Sequence, residues 1–189
     1  MRKCCIPLLL AAGCLPAQNW RLDSIAGLET HNATAEAATY GGRHALRLLD
    51  QTTPAPPAAP GHALAILSGS DFEDGSIEVD VAGKPRSGAF EGARGFIGIA
   101  FRLQDAGRFE LFYIRPTNGR ADDQLRRNHS TQYTSEPEFP WQQESPGVYE
   151  SYTDLAPGEW TKLRIVVSGV RAQLFVNGAS QPCLRLSTT

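Results

Sequence analysis

The sequence predicts one all-β domain, a β-sandwich of the jelly-roll kind. Three observations point to it. Short runs alternate apolar and polar residues with a period of two, as half-buried strands do. Turn-forming Gly, Pro and Asn-Gly punctuate these runs at intervals of roughly eight to twelve residues. No long segment sustains a helical period. With 189 residues the chain can bury one sizeable core but is short for two.

At the N-terminus, Met1-Arg2-Lys3 is basic and the following CCIPLLLAAGCL is apolar, too short to span a bilayer but matching an export leader over residues 1–17. Two cleavages fit. LAAGC resembles a lipobox, which would make Cys14 the acylated first residue, whereas a cut after Ala17 would leave Gln18 first. Residues 18–189 then form the domain, exported to the periplasm, the cell surface or the medium. A lipid on Cys14 would be its membrane tie. Three of the four cysteines fall in the leader, so Cys183 has no partner for a disulfide framework or a thiolate metal site.

The elements then follow in order. AEAATY and RHALRLLD flank Gly41-Gly42 and predict a hairpin. TTPAPPAAP (52–60) is an extended loop. HALAILSG predicts a strand, and in GSIEVDVAG residues Ile77, Val79 and Val81 point one way and Glu78 and Asp80 the other. GFIGIAFR is apolar enough for burial on both faces, and RFELFYIRP alternates again. Residues 115–147 read as one long polar loop. Beyond it, EWTKLRIVVSG and RAQLFVNG predict a hairpin about Ser168–Arg171, with a further turn at Asn177-Gly178.

The stretch GEWTKLRIVVSGVRAQLFVNG (158–178) resembles a hallmark of concanavalin A-like jelly rolls, in particular laminin-G-like modules and the bacterial 3-keto-disaccharide hydrolase family. Across residues 62 to 180 the resemblance implies a concanavalin A-like fold, with Trp160 plugging the core where its strand begins. Chains of this type continue past the Asn-Gly turn into a closing strand. Here only SQPCLRLSTT follows, so a missing last strand and an unpaired sheet edge are expected. The fold hosts lectins, hydrolases and adhesion modules alike.

Several chemistries are excluded. A net charge of −2 argues against a nucleic-acid partner. Glu78 and Asp80 do not complete a glucanase-type catalytic strand, because Ala82 and Gly83 stand where its second glutamate would be; a solvated acidic face accounts for them. No Gly-x-Ser-x-Gly elbow occurs, and His31, His44, His62 and His129 lack metal spacing. No cofactor and no metal are predicted.

The 115–141 segment carries the remaining functional signal. A structureless loop of this length is most often functional or disordered, and this one is studded with aromatics. Sugars need aromatic faces for their C–H surfaces and planar polar groups for their hydroxyls. Tyr133 and Trp141 are candidates for the first task. Arg115, Asn118, Arg120, Asp122, Asp123, Gln124, Arg126, Arg127, Asn128 and His129 are candidates for the second. Pro137 and Pro140 predict a rigid extended arm that presents Trp141. Three outcomes stay open: a glycan-binding module, a hydrolase of 3-keto-glycosides, or a structural envelope domain whose loop charges pair with one another. For the hydrolase, which the resemblance implies, Asp123 or His129 is the base and Arg127 or Arg120 the cation that stabilises an enolate.

Overall fold

The structure is a computed structural model that describes residues 17–51, 61–140 and 147–187. The expected leader with Cys14, the Pro-rich loop and Trp141 lie outside the described residues. The fold is a β-sandwich. One four-stranded antiparallel sheet has the order β12-β11-β10-β5, from β5 (Gly75–Val81), β10 (Thr161–Ser168), β11 (Arg171–Val176) and β12 (Leu184–Ser187). The other has the order β6-β7-β8-β9, from β6 (Ile97–Asp105), β7 (Arg108–Ile114), β8 (Thr131–Glu136) and β9 (Glu150–Ser151). Two further pairs complete it: β1 (Leu28–His31) with β4 (Leu64–Leu67), and β2 (Ala33–Tyr40) with β3 (Arg43–Asp50).

The alternation seen in the sequence sets the core. In β10, Thr161, Leu163, Ile165 and Val167 point inward and are buried. From the opposite sheet Ile99, Phe101, Phe112, Ile114 and Tyr133 meet them. Phe101 stacks on Phe112 at 5.9 Å, and Phe112 packs against Tyr133 at 5.3 Å. Outward, Glu78 and Asp80 of β5 bind Lys162 at 2.6 and 3.7 Å, and Arg43 reaches Asp80 at 2.9 Å. They form the solvated acidic face that the sequence suggested, and the structure adds its cationic partners.

Arg102 fastens one end of the sandwich. Its φ of 50° lies in the left-handed region, which costs a non-glycine residue on the order of 1 kcal/mol or more. The side chain compensates by donating to Glu73 O (2.8 Å), Asp74 Oδ1 (2.8 Å), Glu110 Oε1 (3.0 Å) and Gly169 O (2.7 Å), so that three separate segments are tied together.

Four expectations change. Residues 115–147 are not one loop: they include helix α1 (Gln124–Asn128) and strand β8 at an interior position of a sheet. Polar composition hid β8 because both of its faces are buried, with Thr131, Gln132 and Tyr133 finding hydrogen-bond partners there. Trp160 does not plug the core. It lies under the β2–β3 hairpin, where its Nε1–H donates to Tyr40 O (3.3 Å) and Arg43 stacks over its ring at 5.2 Å. The 137–140 segment is not an extended arm, since Ser135 and Phe139 pair backbone to backbone around the cis Glu136–Pro137 bond. Finally, the short stretch past Asn177-Gly178 does supply a strand, because Leu184–Ser187 pairs with β11 and covers that edge.

Candidate functional site

β7 delivers Arg115 to the edge of its sheet. A 3₁₀ turn (Pro116–Asn118) and α1 follow, and the chain then re-enters the sheet as β8. This excursion is held by its own polar groups. Asp123 caps α1, accepting from the Arg126 backbone N–H at 2.9 Å. Asn118, buried, donates to His129 O (3.0 Å) and accepts from Arg126 Nε (3.0 Å). Arg127 donates to the carbonyls of Ala121 and Asp122 and to Gln124 Oε1, while Gln124 donates to Asn128 Oδ1. Arg120 pairs with Asp154 at 2.7 Å. Thus Asn118, Arg120, Asp123, Gln124, Arg127 and Asn128 shape the excursion, and Asp122 is exposed beside them.

Tyr133 is not a stacking platform. It sits in the core at 4 % exposure with its hydroxyl donating to Glu110 Oε2 (2.8 Å), because its place in β8 points it inward. Burial, and then the bond to Glu110, push its phenol well above the ordinary tyrosine range. Asp123, as a cap, is committed to the helix and is poorly placed as a base. Of the predicted residues, Arg115 and His129 share a cluster with partners that the sequence did not single out.

That cluster lies on the outer face of the β6–β9 sheet. The register sets Gly98 opposite Tyr113, Tyr113 opposite Gln132, and Gln132 opposite Glu150. Arg115 donates to Glu150 Oε1 (2.9 Å), to the Tyr113 hydroxyl (3.0 Å), to His129 O (3.1 Å) and to Gln132 Oε1. The Tyr113 hydroxyl donates to Gln132 Oε1 at 2.6 Å. His129 Nδ1 meets the other Glu150 oxygen, so one carboxylate orients both a guanidinium and an imidazole. The Arg115 and Glu150 side chains are only 11 % and 9 % exposed, which makes this a buried ion pair at a surface edge.

An aromatic ring completes it. Phe96 is 51 % exposed, lies 6.0 Å from the Tyr113 ring and has the Arg115 guanidinium 5.9 Å from its centroid. Gly98, which faces Tyr113, lets β6 and β7 approach closely. A Cβ there would come within 2.1 Å of Phe112 O and 2.7 Å of Tyr113 Cβ. Sequence reasoning missed Phe96, Tyr113, Gln132 and Glu150, since each lies in or beside a separate strand. The period-two alternation does put Phe96, Tyr113 and Gln132 on outward positions, and that was the available signal.

No family model matches the chain, and no curated protein matches it. Among solved structures it is similar to a carbohydrate binding module, CBM66, from Bacillus subtilis. The TM-score is 0.57 at 14 % identity, with 86 % of this chain and 80 % of that chain covered. The likeness is one of fold, and it agrees with the sandwich described above.

Proposed function

We propose that the protein is a carbohydrate-binding module of concanavalin A-like fold that takes glycans on the rim where Phe96 and His129 reach the surface beside the buried cluster of Tyr113, Arg115, Gln132 and Glu150. The observation that carries this reading is the exposed Phe96 ring set beside a pre-organised polar cluster. A pyranose ring can lay its C–H face on Phe96 while its hydroxyls meet the His129 imidazole, which Glu150 holds in place. The fold-level likeness to a carbohydrate binding module is in keeping with it. The finer fold assignment rests on the GEWTKLRIVVSG pattern, and export rests on the basic-then-apolar N-terminus, with Cys14 or Gln18 first in the processed chain. Mass spectrometry of the processed N-terminus decides between those two.

The His129–Glu150 contact favours a second reading, hydrolysis of 3-keto-glycosides. A histidine held by a carboxylate can abstract the proton beside a ketone, and Arg115 can stabilise the enolate that forms. The enolate then expels the glycosidic oxygen from the next carbon, which leaves with that proton, and water adds to the enone. Calorimetry of the protein with an oligosaccharide panel tests the first reading. Phe96→Ala should weaken binding roughly tenfold, the value of one stacked aromatic contact. Unchanged affinity removes this rim as the binding site. Proton NMR of 3-keto-glycosides incubated with the protein tests the second, through the appearance of a new anomeric signal.

A further inference from the structure

Arg115 is neutralised by Glu150, but two half-buried neighbours have no such partner among the described residues. Arg94, in the loop that leads to β6, donates Nη1 to the carbonyls of Glu91 (2.5 Å) and Ala93 (3.2 Å). Arg126, on α1, donates Nε to Asn118 Oδ1 (3.0 Å) and Nη2 to Thr117 Oγ1 (3.4 Å). All four acceptors are neutral oxygens, and neither guanidinium forms an ion pair among the described residues. By contrast Arg43, Arg47, Arg102, Arg108 and Arg120 each meet a carboxylate.

Thr117 joins the two. Its N–H donates to the Arg94 carbonyl at 3.3 Å, and its hydroxyl accepts from Arg126. Burial, and then the positive charges of Arg126 and Arg115, hold the Arg94 pKa below the ordinary arginine value, with Glu91 opposing them. Asp123, which precedes α1, is spent on the helix cap. Like charges gathered in a half-buried position gain from a bound anion, and the planar guanidinium fork suits carboxylate and sulfate oxygens.

We infer that Arg94 and Arg126 form an anion subsite beside the Phe96–Glu150 rim, which takes the carboxylate or sulfate ester of an acidic oligosaccharide. The inference rests on the carbohydrate-binding reading and names the class of glycan. Its test is calorimetry at about 150 mM salt with three probes: an oligogalacturonate, a sulfated galactan oligosaccharide and a neutral galactan oligosaccharide. The expected result is that at least one acidic probe binds about tenfold more tightly than the neutral one, as charge-assisted hydrogen bonds would give. Which acidic probe wins separates carboxylate from sulfate. R94Q/R126Q should lose that advantage, whereas R120Q, which breaks an exposed pair with Asp154, should keep it.

Should the double variant fail to fold, the salt dependence of the wild-type protein serves instead. Acidic-probe affinity should fall steeply between about 50 and 500 mM salt while neutral-probe affinity holds. Equal binding of acidic and neutral probes, or an advantage that survives in R94Q/R126Q, overturns the subsite alone. Absence of binding to any probe overturns the carbohydrate reading and the subsite with it.

Discussion

Replacing Arg115 by Met tests the central structural claim, that the rim is organised by a buried ion pair. The substitution keeps the aliphatic stem and removes the guanidinium. Of the four acceptors, the Glu150 Oε1 atom is the most affected by the loss, because Glu150 is 9 % exposed and carries charge. Its other oxygen keeps His129 and the Gly147 N–H (3.4 Å), and Gln132 keeps the Tyr113 hydroxyl. Breaking a buried pair costs about 3–5 kcal/mol, and the surviving donors place this case near the lower end, about 3 kcal/mol. At about 2–4 °C per kcal/mol for a domain of this size, Tm should fall by roughly 6–12 °C. The assay is calorimetry or urea unfolding of R115M, E150Q and R115M/E150Q, with the coupling read from the cycle. The double variant should be less destabilised than the sum of the two single variants. A loss below about 1 kcal/mol in R115M would refute the reasoning, since that is the range of solvent-screened pairs.

Three other predictions concern the scaffold. Ile165 is fully buried between the sheets, so Ile165→Ala should cost about 2–5 kcal/mol in urea unfolding. A Cβ on Gly119 would lie 2.4 Å from Leu155 N and 2.5 Å from Leu155 O, and with φ at −56° the clash alone decides the outcome. Gly119→Ala should therefore destabilise by about 1–3 kcal/mol and shift amide signals of the Leu155 segment. Asp74 accepts from the Gly169 N–H and from Arg102, which together hold its carboxyl below the ordinary value. A depressed folded-state pKa means that its stabilisation is present above the unfolded pKa and is lost as pH falls through the folded one. The Tm gap between wild type and Asp74→Asn should be level from about pH 5 to 7 and close below about pH 4.

The sequence determined the fold class because a period of two is a local property. Leu163, Ile165 and Val167 must share a face in any strand, and the glycines at 41, 42, 169 and 178 adopt the positive φ that their turns require. Those signals correctly placed both hairpins and most core strands. They failed at β8, where Thr131, Gln132, Tyr133 and Thr134 are polar enough to read as a loop. A polar residue in the interior depends on a distant partner, and such a partner has no mark in the local sequence.

The same limit governs the site. Composition alone drew attention to the 115–141 excursion, and most of its charged groups turn out to bind the backbone, neutral side chains or charged groups from other segments. Arg115 and His129 come together with partners only when strand register brings Gln132 and Glu150 alongside Tyr113 and the bare Gly98 lets β7 approach closely. Cross-strand neighbours are chosen by pairing across the whole sheet, so the rim was decided by the tertiary structure.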